Sequence, residues 1–283
     1  MADATSAEPA VPQLDGGLSR LRLDIAYDGT EFSGWAAQPG RRTVEGVLVD
    51  ALVTVLRLPL PPRLTVAGRT DAGVHATGQV AHVDLQEPPG PAVLLRRLAG
   101  VLPADLVVRA VAAAPPGFDA RFAALGRRYR YRVTDTFPDP LRRRDTLAWP
   151  RPLDTAAMQK AAQALVGEHD FAAYCRPRPG ATTVRTLRRL SVARDEDVVV
   201  VDAEADAFCH NQVRAMVGAL LAVGDRRRPA AWPRQVLDAR ARDSAVNVAP
   251  PHGLTLVGVD YPGPGELAAR AAETRRLRAS PAT

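Results

Sequence analysis

The fold of this chain is decided by the stretch 67-AGRTDAGVHA-76, a polar loop between two runs that have the character of β-strands. The preceding run, residues 64–67, is short, largely apolar and β-branched, and the following run, residues 80–85, places apolar side chains at every second position. Alternation with a period of two is typical of a strand with one buried face. We therefore expect the loop to lie at one end of a sheet.

Three features of this loop favour chemistry. Gly68 and Gly73 allow the backbone a positive φ or a close approach to a ligand. Asp71 is the only carboxylate in the loop, and Arg69 is close enough in sequence to keep it ionised and oriented. An ionised, oriented carboxylate can act as a nucleophile or a base. The alternative is an Asx-turn, in which Asp71 bonds its own backbone and Arg69 is solvated.

The residues on both sides of the loop predict one folding unit over residues 20–116. Apolar periodicity predicts an order of β-α-β-β-α-β, with strands at 21–27, 64–67, 80–85 and 106–111 and helices over 43–55 and 92–99. Thr43 has the residue type and position of an N-cap. This order is that of the ferredoxin-like unit, an antiparallel sheet with both helices on one face.

After residue 117 the same pattern starts again. Strands are predicted at 128–133, 183–192, 198–205 and 254–261, and helices after Asp154, from 213 and near 234–241. We therefore predict an α+β fold of two ferredoxin-like (RRM-like) β-α-β-β-α-β repeats. Their sheets join into one central antiparallel sheet, with a cleft between the halves.

The predicted domain organisation has four parts. Residues 20–116 form the N-terminal repeat with the Asp71 loop, and residues 117–262 form the C-terminal repeat. Residues 1–19, which are rich in Ala, Pro, Gly and acidic residues, and residues 263–283, which have the character of a frayed tail, are expected to be disordered.

Composition excludes several classes of protein. A hydrophobic content of 46% and a charged content of 24% are ordinary for a soluble globular protein, and no run approaches the roughly 18 apolar residues of a membrane span. The first basic residue is Arg20, which is unlike a signal or transit peptide, so we expect a cytoplasmic protein. Cys175 and Cys209 are far apart without metal-ligand spacing, so we expect two reduced thiols and no metal site.

The charge of the chain suits a polyanionic partner. The net charge is +6 and the isoelectric point is near 10.0. Because a GC-rich genome also produces many arginines, the clusters are more informative than the total. Arginines alternate with apolar residues over 127–133, and a block of three occupies 142–144, which is a candidate contact for RNA.

The loop at residues 68–76 resembles the signature loop of the TruA-type tRNA pseudouridine synthases. Other segments are also similar to that family, so the resemblance covers most of residues 20–262; they are 28–38, 121–131, 167–171, 208–214 and 251–256. Three positions depart from the family pattern, and we expect them to affect only fine specificity: Glu45, Asp119 and Gln212.

The resemblance implies isomerisation of uridine to pseudouridine in the anticodon stem-loop of tRNA, at positions 38, 39 and 40. The N1–C1′ bond breaks, the base turns, and a C5–C1′ bond forms. Because no atoms enter or leave overall, neither a cofactor nor a metal is implied. Family membership further implies a homodimer.

Five site residues follow from the resemblance. Asp71 matches the catalytic nucleophile, and Arg214 matches an active-site arginine that would form an ion pair with it. Tyr129 matches the active-site tyrosine, which would stack on the extruded base. Leu254 lies in the loop that lines the uracil pocket, and Arg69 would fill the gap left by the base or bind phosphate. The five histidines share no metal spacing and are interpreted as structural or surface groups.

Two other functions remain open from the residues alone. A non-catalytic RNA-binding module or RNA chaperone on the same fold would explain the charge but not the pairing of Arg69 with Asp71. A metal-dependent phosphoryl enzyme using Asp71 lacks companion carboxylates at ligand spacing. For the synthase, the sequence leaves open whether Asp71 attacks C1′, attacks the base or removes the 2′ proton.

Overall fold

The computed structural model describes residues 17–176, 182–241 and 243–279. Its N-terminal half contains four strands and two helices in the predicted order: β1 (Leu18–Tyr27), α1 (Val44–Leu56), β2 (Leu64–Val66), β3 (His75–Gln86), α2 (Pro91–Ala99) and β4 (Leu106–Ala113). The strand after the signature loop is longer than predicted, because it starts inside that loop at His75.

The C-terminal half has a larger set of elements: β5 (Gly126–Thr134), β6 (Leu147–Ala148), α3 (Thr155–Gln163), β7 (Gly167–Asp170), β8 (Val184–Asp195), β9 (Val198–Ala205), α4 (Gln212–Gly224), α5 (Trp232–Ala239), β10 (Leu254–Asp260) and α6 (Leu267–Ala279). The short strands β6 and β7 were not predicted, because two to four residues carry too little alternation to be detected.

Ten strands form one sheet in which the halves lie side by side. The main path runs β4-β1-β3-β10-β5-β9-β8-β7, with β2 beside β3 and β6 beside β5. The halves join where β10 pairs in parallel with the start of β3, with Thr255 opposite His75 and Leu256 opposite Ala76. The predicted α+β fold with joined sheets is confirmed. The C-terminal end of the signature loop is therefore fixed at the seam between the halves.

Local sequence explains why the helices begin where they do. The Thr43 hydroxyl accepts a hydrogen bond from the N–H of Gly46 (3.2 Å), and the Asp154 carboxylate accepts one from Ala157 (3.0 Å). Both are N-caps of the predicted kind, which satisfy otherwise unpaired N–H groups in the first turn. Helix α4 is buried along nearly its whole length and is apolar on all sides beyond its first turn, which is typical of a central helix.

The prediction of a disordered tail over residues 263–283 is wrong for the part that the structure describes. Residues 267–279 form α6, in which Leu267 and Ala271 are buried against the cluster around Phe118. Arg275 adds an ion pair with Asp119 at 2.6 Å. Tertiary contacts stabilise this helix. Its two buried apolar residues, four positions apart, are too few to predict those contacts from the sequence. Residues 280–283 lie outside the described residues.

Two further expectations need correction or restriction. Strand β1 begins at Leu18, inside the predicted N-terminal tail, and residues 1–16 lie outside the described residues.

Cys175 and Cys209 form a disulfide between the segment after β7 and the segment before α4, so the expectation of two reduced thiols is wrong. Among the described helices, none has the length and apolar character needed to cross a membrane. The domain boundary at residue 116 stays a prediction.

Candidate active site

The signature loop is held in place by the glycine-rich segment that follows β1. The N–H of Trp35 donates to the carbonyl of Thr70 (3.0 Å), and the N–H of Gly73 donates to the carbonyl of Phe32 (3.3 Å). The hydroxyls of Tyr27 and Thr70 are 2.7 Å apart and share a hydrogen bond. The backbone on both sides of Asp71 is therefore fixed.

One of the two glycines predicted to matter in this loop is required by geometry. Gly73 has a φ of 75°, and a Cβ there would lie 2.9 Å from the ring of Pro251. Only a residue without a side chain fits such a position easily. Gly68 has no positive φ, and the nearest atom to a Cβ there would be Arg127 Nε at 4.0 Å. The expected positive φ is therefore wrong for Gly68, and its close approach to a ligand stays a prediction.

The carboxylate of Asp71 faces an arginine and a histidine from the C-terminal half. Its Oδ2 lies 3.5 Å from Nη1 of Arg214, and its Oδ1 lies 3.3 Å from Nε2 of His210. The side chain is 34% exposed, so the carboxylate is open to the solvent. The expected ion pair with Arg214 is confirmed. Among the described residues, Asp71 makes no ion pair with Arg69, so the expectation that Arg69 orients it is wrong. The Asx-turn alternative is wrong for Asp71, although Arg69 is exposed as that alternative expects.

Arg214 is itself anchored by the protein. It lies in the first turn of α4, where its Nε donates to the carbonyl of Ala249 (2.7 Å) and its Nη1 lies 3.4 Å from the side-chain oxygen of Asn211. Its side chain is only 16% exposed. Arg214 can therefore hold Asp71 in one place.

Tyr129 lies on β5, opposite Leu256 of β10 and Ala203 of β9. It is 9% exposed, and its ring packs edge to face against Phe208, with the ring centroids 5.3 Å apart. Burial raises the pKa of its phenol well above the usual value. Tyr129 is therefore a neutral aromatic surface.

A cleft of about 1030 Å³ brings the predicted residues together. Its walls include all five of them: Arg69, Asp71, Tyr129, Arg214 and Leu254. Leu254, the first residue of β10, is 5% exposed and contributes apolar surface. Four further arginines reach the same cleft: Arg63, Arg121, Arg127 and Arg176. Arginines outnumber the two carboxylates of the lining, Glu45 and Asp71, and such a surplus of positive charge concentrates anionic ligands.

Arg127 supports the cleft from beneath. Its guanidinium is buried and donates to three backbone carbonyls, those of Asp206 (2.7 Å), Ala67 (2.7 Å) and Arg121 (3.1 Å). Burial lowers the pKa of this group from its usual value. Arg127 thus ties the end of β2 to two segments of the C-terminal half.

The other arginines of β5 do not form a free basic surface. Arg128, Arg130 and Arg132 each pair with a carboxylate of a neighbouring segment, at 3.1, 2.8 and 3.6 Å. In the block at 142–144, two arginines are also paired: Arg142 with Asp145 (3.0 Å) and Arg144 with Asp28 (3.1 Å). Among the described residues Arg143 pairs with no carboxylate. Most arginines of the two clusters are therefore engaged within the protein, and the RNA contact of the 142–144 block stays a prediction.

Comparison with known proteins gives the family. A family model described as tRNA pseudouridine synthase matches residues 161–262. The tRNA pseudouridine synthase A of Frankia casuarinae is 65% identical over 268 residues, which cover 94% of this chain and 97% of that protein. The chain belongs to the tRNA pseudouridine synthase A family.

More distant members of the tRNA pseudouridine synthase A family agree. Those of Streptomyces griseus subsp. griseus and Mycobacterium leprae are 58% and 51% identical, over 95% and 92% of this chain and 97% and 96% of their own lengths. A solved Cbf5-Nop10-Gar1 complex matches with a TM-score of 0.31 and 13% identity, covering 71% of this chain and 54% of that chain. That likeness is too slight to bear on the site.

Two residues of this synthase-family site escaped prediction as functional groups. His210 was interpreted as a structural or surface group, yet it contacts Asp71. By contrast, His75 has the structural role that was expected, because its ring accepts a hydrogen bond from the N–H of Gly29 (2.9 Å). Phe208 forms one side of the Tyr129 environment. Only the tertiary fold brings His210 to Asp71 and Phe208 to Tyr129. In the described ranges, no three His, Cys, Asp or Glu side chains could hold a metal ion.

Proposed function

We propose that this chain isomerises uridine to pseudouridine in tRNA, with Asp71 as the nucleophile. One observation carries the proposal: the carboxylate of Asp71, paired with Arg214, opens into an arginine-lined cleft that also contains Tyr129. A carboxylate paired with an arginine, in a cleft that also offers an aromatic surface, suits an attack on an extruded nucleotide. Membership of the tRNA pseudouridine synthase A family supports the same reaction.

The proposed reaction begins with extrusion of the uridine, which costs a few kcal/mol. Stacking on Tyr129 would return about 1 to 3 kcal/mol. Asp71 then attacks C1′ or the base, or removes the 2′ proton. The N1–C1′ bond breaks and C5 bonds to C1′. The bond that Asp71 formed is broken again, or the 2′ proton that it took is returned, so the carboxylate is regenerated. The C5 proton leaves to the solvent and N1 gains a proton. The raised pKa of the buried Tyr129 phenol suits stacking better than removal of the C5 proton.

The substrate proposed is the anticodon stem-loop, at the uridines of positions 38, 39 and 40. Arg69 is exposed, has no carboxylate partner among the described residues and lies two residues from Asp71. It is therefore free to fill the gap left by the base or to bind a phosphate. Arg143 is the member of the 142–144 block best suited to a phosphate, because its neighbours are paired internally.

We further propose a homodimer that acts in the cytoplasm without a metal or cofactor. The dimer and the location rest on family membership, and the absence of a cofactor rests on a reaction that adds and removes no atoms. Light scattering of the purified protein tests the dimer, since a dimer has twice the chain mass of 30.3 kDa. A mass of one chain at micromolar concentration would contradict it.

The experiment that tests the proposed reaction uses tRNA transcripts carrying tritium at C5 of uridine. Formation of the C5–C1′ bond expels that hydrogen, so tritium should appear in water, and carbodiimide labelling should locate the product. A non-catalytic RNA-binding module would bind the transcript and release no tritium. Binding without release, over a range of tRNA sequences, would overturn the proposal in favour of that alternative.

A further inference from the structure

His210 contacts the oxygen of Asp71 that Arg214 does not. Nε2 of His210 lies 3.3 Å from Oδ1, whereas Nη1 of Arg214 lies 3.5 Å from Oδ2. Both are ion-pair distances. An ionised carboxylate only accepts hydrogen bonds, so a hydrogen bond from His210 to Asp71 requires the hydrogen on Nε2. Nε2 is therefore the atom from which His210 would donate.

The turn that carries His210 is fixed by its own hydrogen bonds. The carbonyl of His210 accepts from the N–H of Arg176 (3.0 Å), and the N–H of Cys209 donates to the side-chain oxygen of Gln212 (3.0 Å). Asn211 follows with a φ of 68°, a left-handed conformation that asparagine tolerates better than most residues. The backbone beneath the imidazole is thus held while the ring reaches Asp71.

The two donors differ in exposure. Arg214 is 16% exposed and anchored to the carbonyl of Ala249, whereas His210 is 43% exposed. A single donor leaves the carboxylate free to rotate about its own bond. A second donor on the other oxygen fixes its plane, and precise orientation of a reacting group contributes strongly to rate.

We propose that His210 is a positioning residue for Asp71. Its Nε2–H holds Oδ1 while Arg214 holds Oδ2, so that the plane of the carboxylate is set before the nucleotide arrives. This role rests on the proposed function, because it presumes that Asp71 reacts. The proposal adds His210, from the turn before α4, to the residues that orient Asp71 for the reaction.

The test replaces His210 with two amides of different reach. In His210→Gln the amide nitrogen lies near the place of Nε2, whereas in His210→Asn it lies near Nδ1 and stops short of Asp71. We expect kcat for tritium release to fall about tenfold in His210→Asn and His210→Ala, with KM for tRNA unchanged. We expect His210→Gln to retain kcat within about threefold of the wild type.

The outcomes separate the two proposals. An active wild type with equal kcat in the Ala, Asn and Gln variants would overturn the role of His210 and leave the proposed function intact. A rise in KM alone would assign His210 to tRNA contact and also overturn the role. Equal losses of kcat in the Gln and Asn variants would show that a donor at the position of Nε2 does not matter, and would also overturn the role of His210. A wild type that releases no tritium would overturn the proposed function itself. Thermal melting of each variant controls for folding.

Discussion

Arg127 offers a strong test of how the halves are joined. Three backbone carbonyls accept from its guanidinium, at 2.7, 2.7 and 3.1 Å. Arg127→Met keeps most of the apolar stem and removes every donor. Each buried carbonyl left without a partner costs about 1 to 3 kcal/mol. Relief of the buried charge offsets part of that sum, so we expect a net destabilisation of about 3 to 5 kcal/mol.

The assay is urea unfolding followed by circular dichroism, with calorimetry as a second measurement. At about 2 to 4 °C per kcal/mol for a chain of this size, the melting temperature should fall by about 10 °C. Arg128→Met is the matched control, because Arg128 is the next residue of β5 and makes an ion pair with Asp260 on the exposed face. Its loss should cost less than about 1 kcal/mol. Equal stability of the two variants would refute the inference that Arg127 ties the end of β2 to the C-terminal half.

Three further predictions concern the loop, the pH response and the RNA contact. Gly73→Ala should lower kcat for tritium release at least tenfold through misplacement of the signature loop, whereas Gly265→Ala, where a Cβ has open space, should not; equal rates would contradict this. Burial lowers the pKa of His82 to about 4, so the unfolded state binds the proton more readily and stability should fall by about 3 kcal/mol as pH drops from 6.5 to 4. Urea unfolding should show a flatter pH profile for His82→Asn; the same slope in both proteins would contradict it. Arg143→Ala should weaken tRNA binding and reduce the salt slope by about 1, with a smaller effect for the internally paired Arg142; equal slopes in the two variants would count against Arg143 as a phosphate contact.

Much of the fold follows from local pattern. The alternation in β1 puts Leu21, Leu23 and Ile25 inward, and all three are fully buried. Thr43 and Asp154 cap helices as their residue types predict. Such features are set by a few neighbouring residues, so the sequence is sufficient to predict them.

What the sequence could not predict depends on register and distance along the chain. Arg130 alternates with apolar residues like a free basic stripe, but strand pairing puts Asp202 directly opposite it. The contact of His210 with Asp71 joins residues far apart in the chain. Helix α6 depends on a surface for Leu267 that other segments build. In each case a tertiary partner decides the outcome.

The candidate site was predictable in a different way. The resemblance supplied five residues that the structure gathers in one cleft, while their roles stay proposals. Proximity in sequence predicted Arg69 as the partner of Asp71. The structure pairs Asp71 with Arg214 and His210 instead, since both reach it from the start of α4.

The most direct test of the proposed chemistry is tritium release by Asp71→Asn on tRNA labelled at C5 of uridine. Asparagine keeps the shape of the side chain and removes the charge, and Asp50→Asn on the exposed face of α1 is the control. The account predicts wild-type binding of tRNA, no detectable release by Asp71→Asn and full release by Asp50→Asn. Release by Asp71→Asn at the wild-type rate would contradict it.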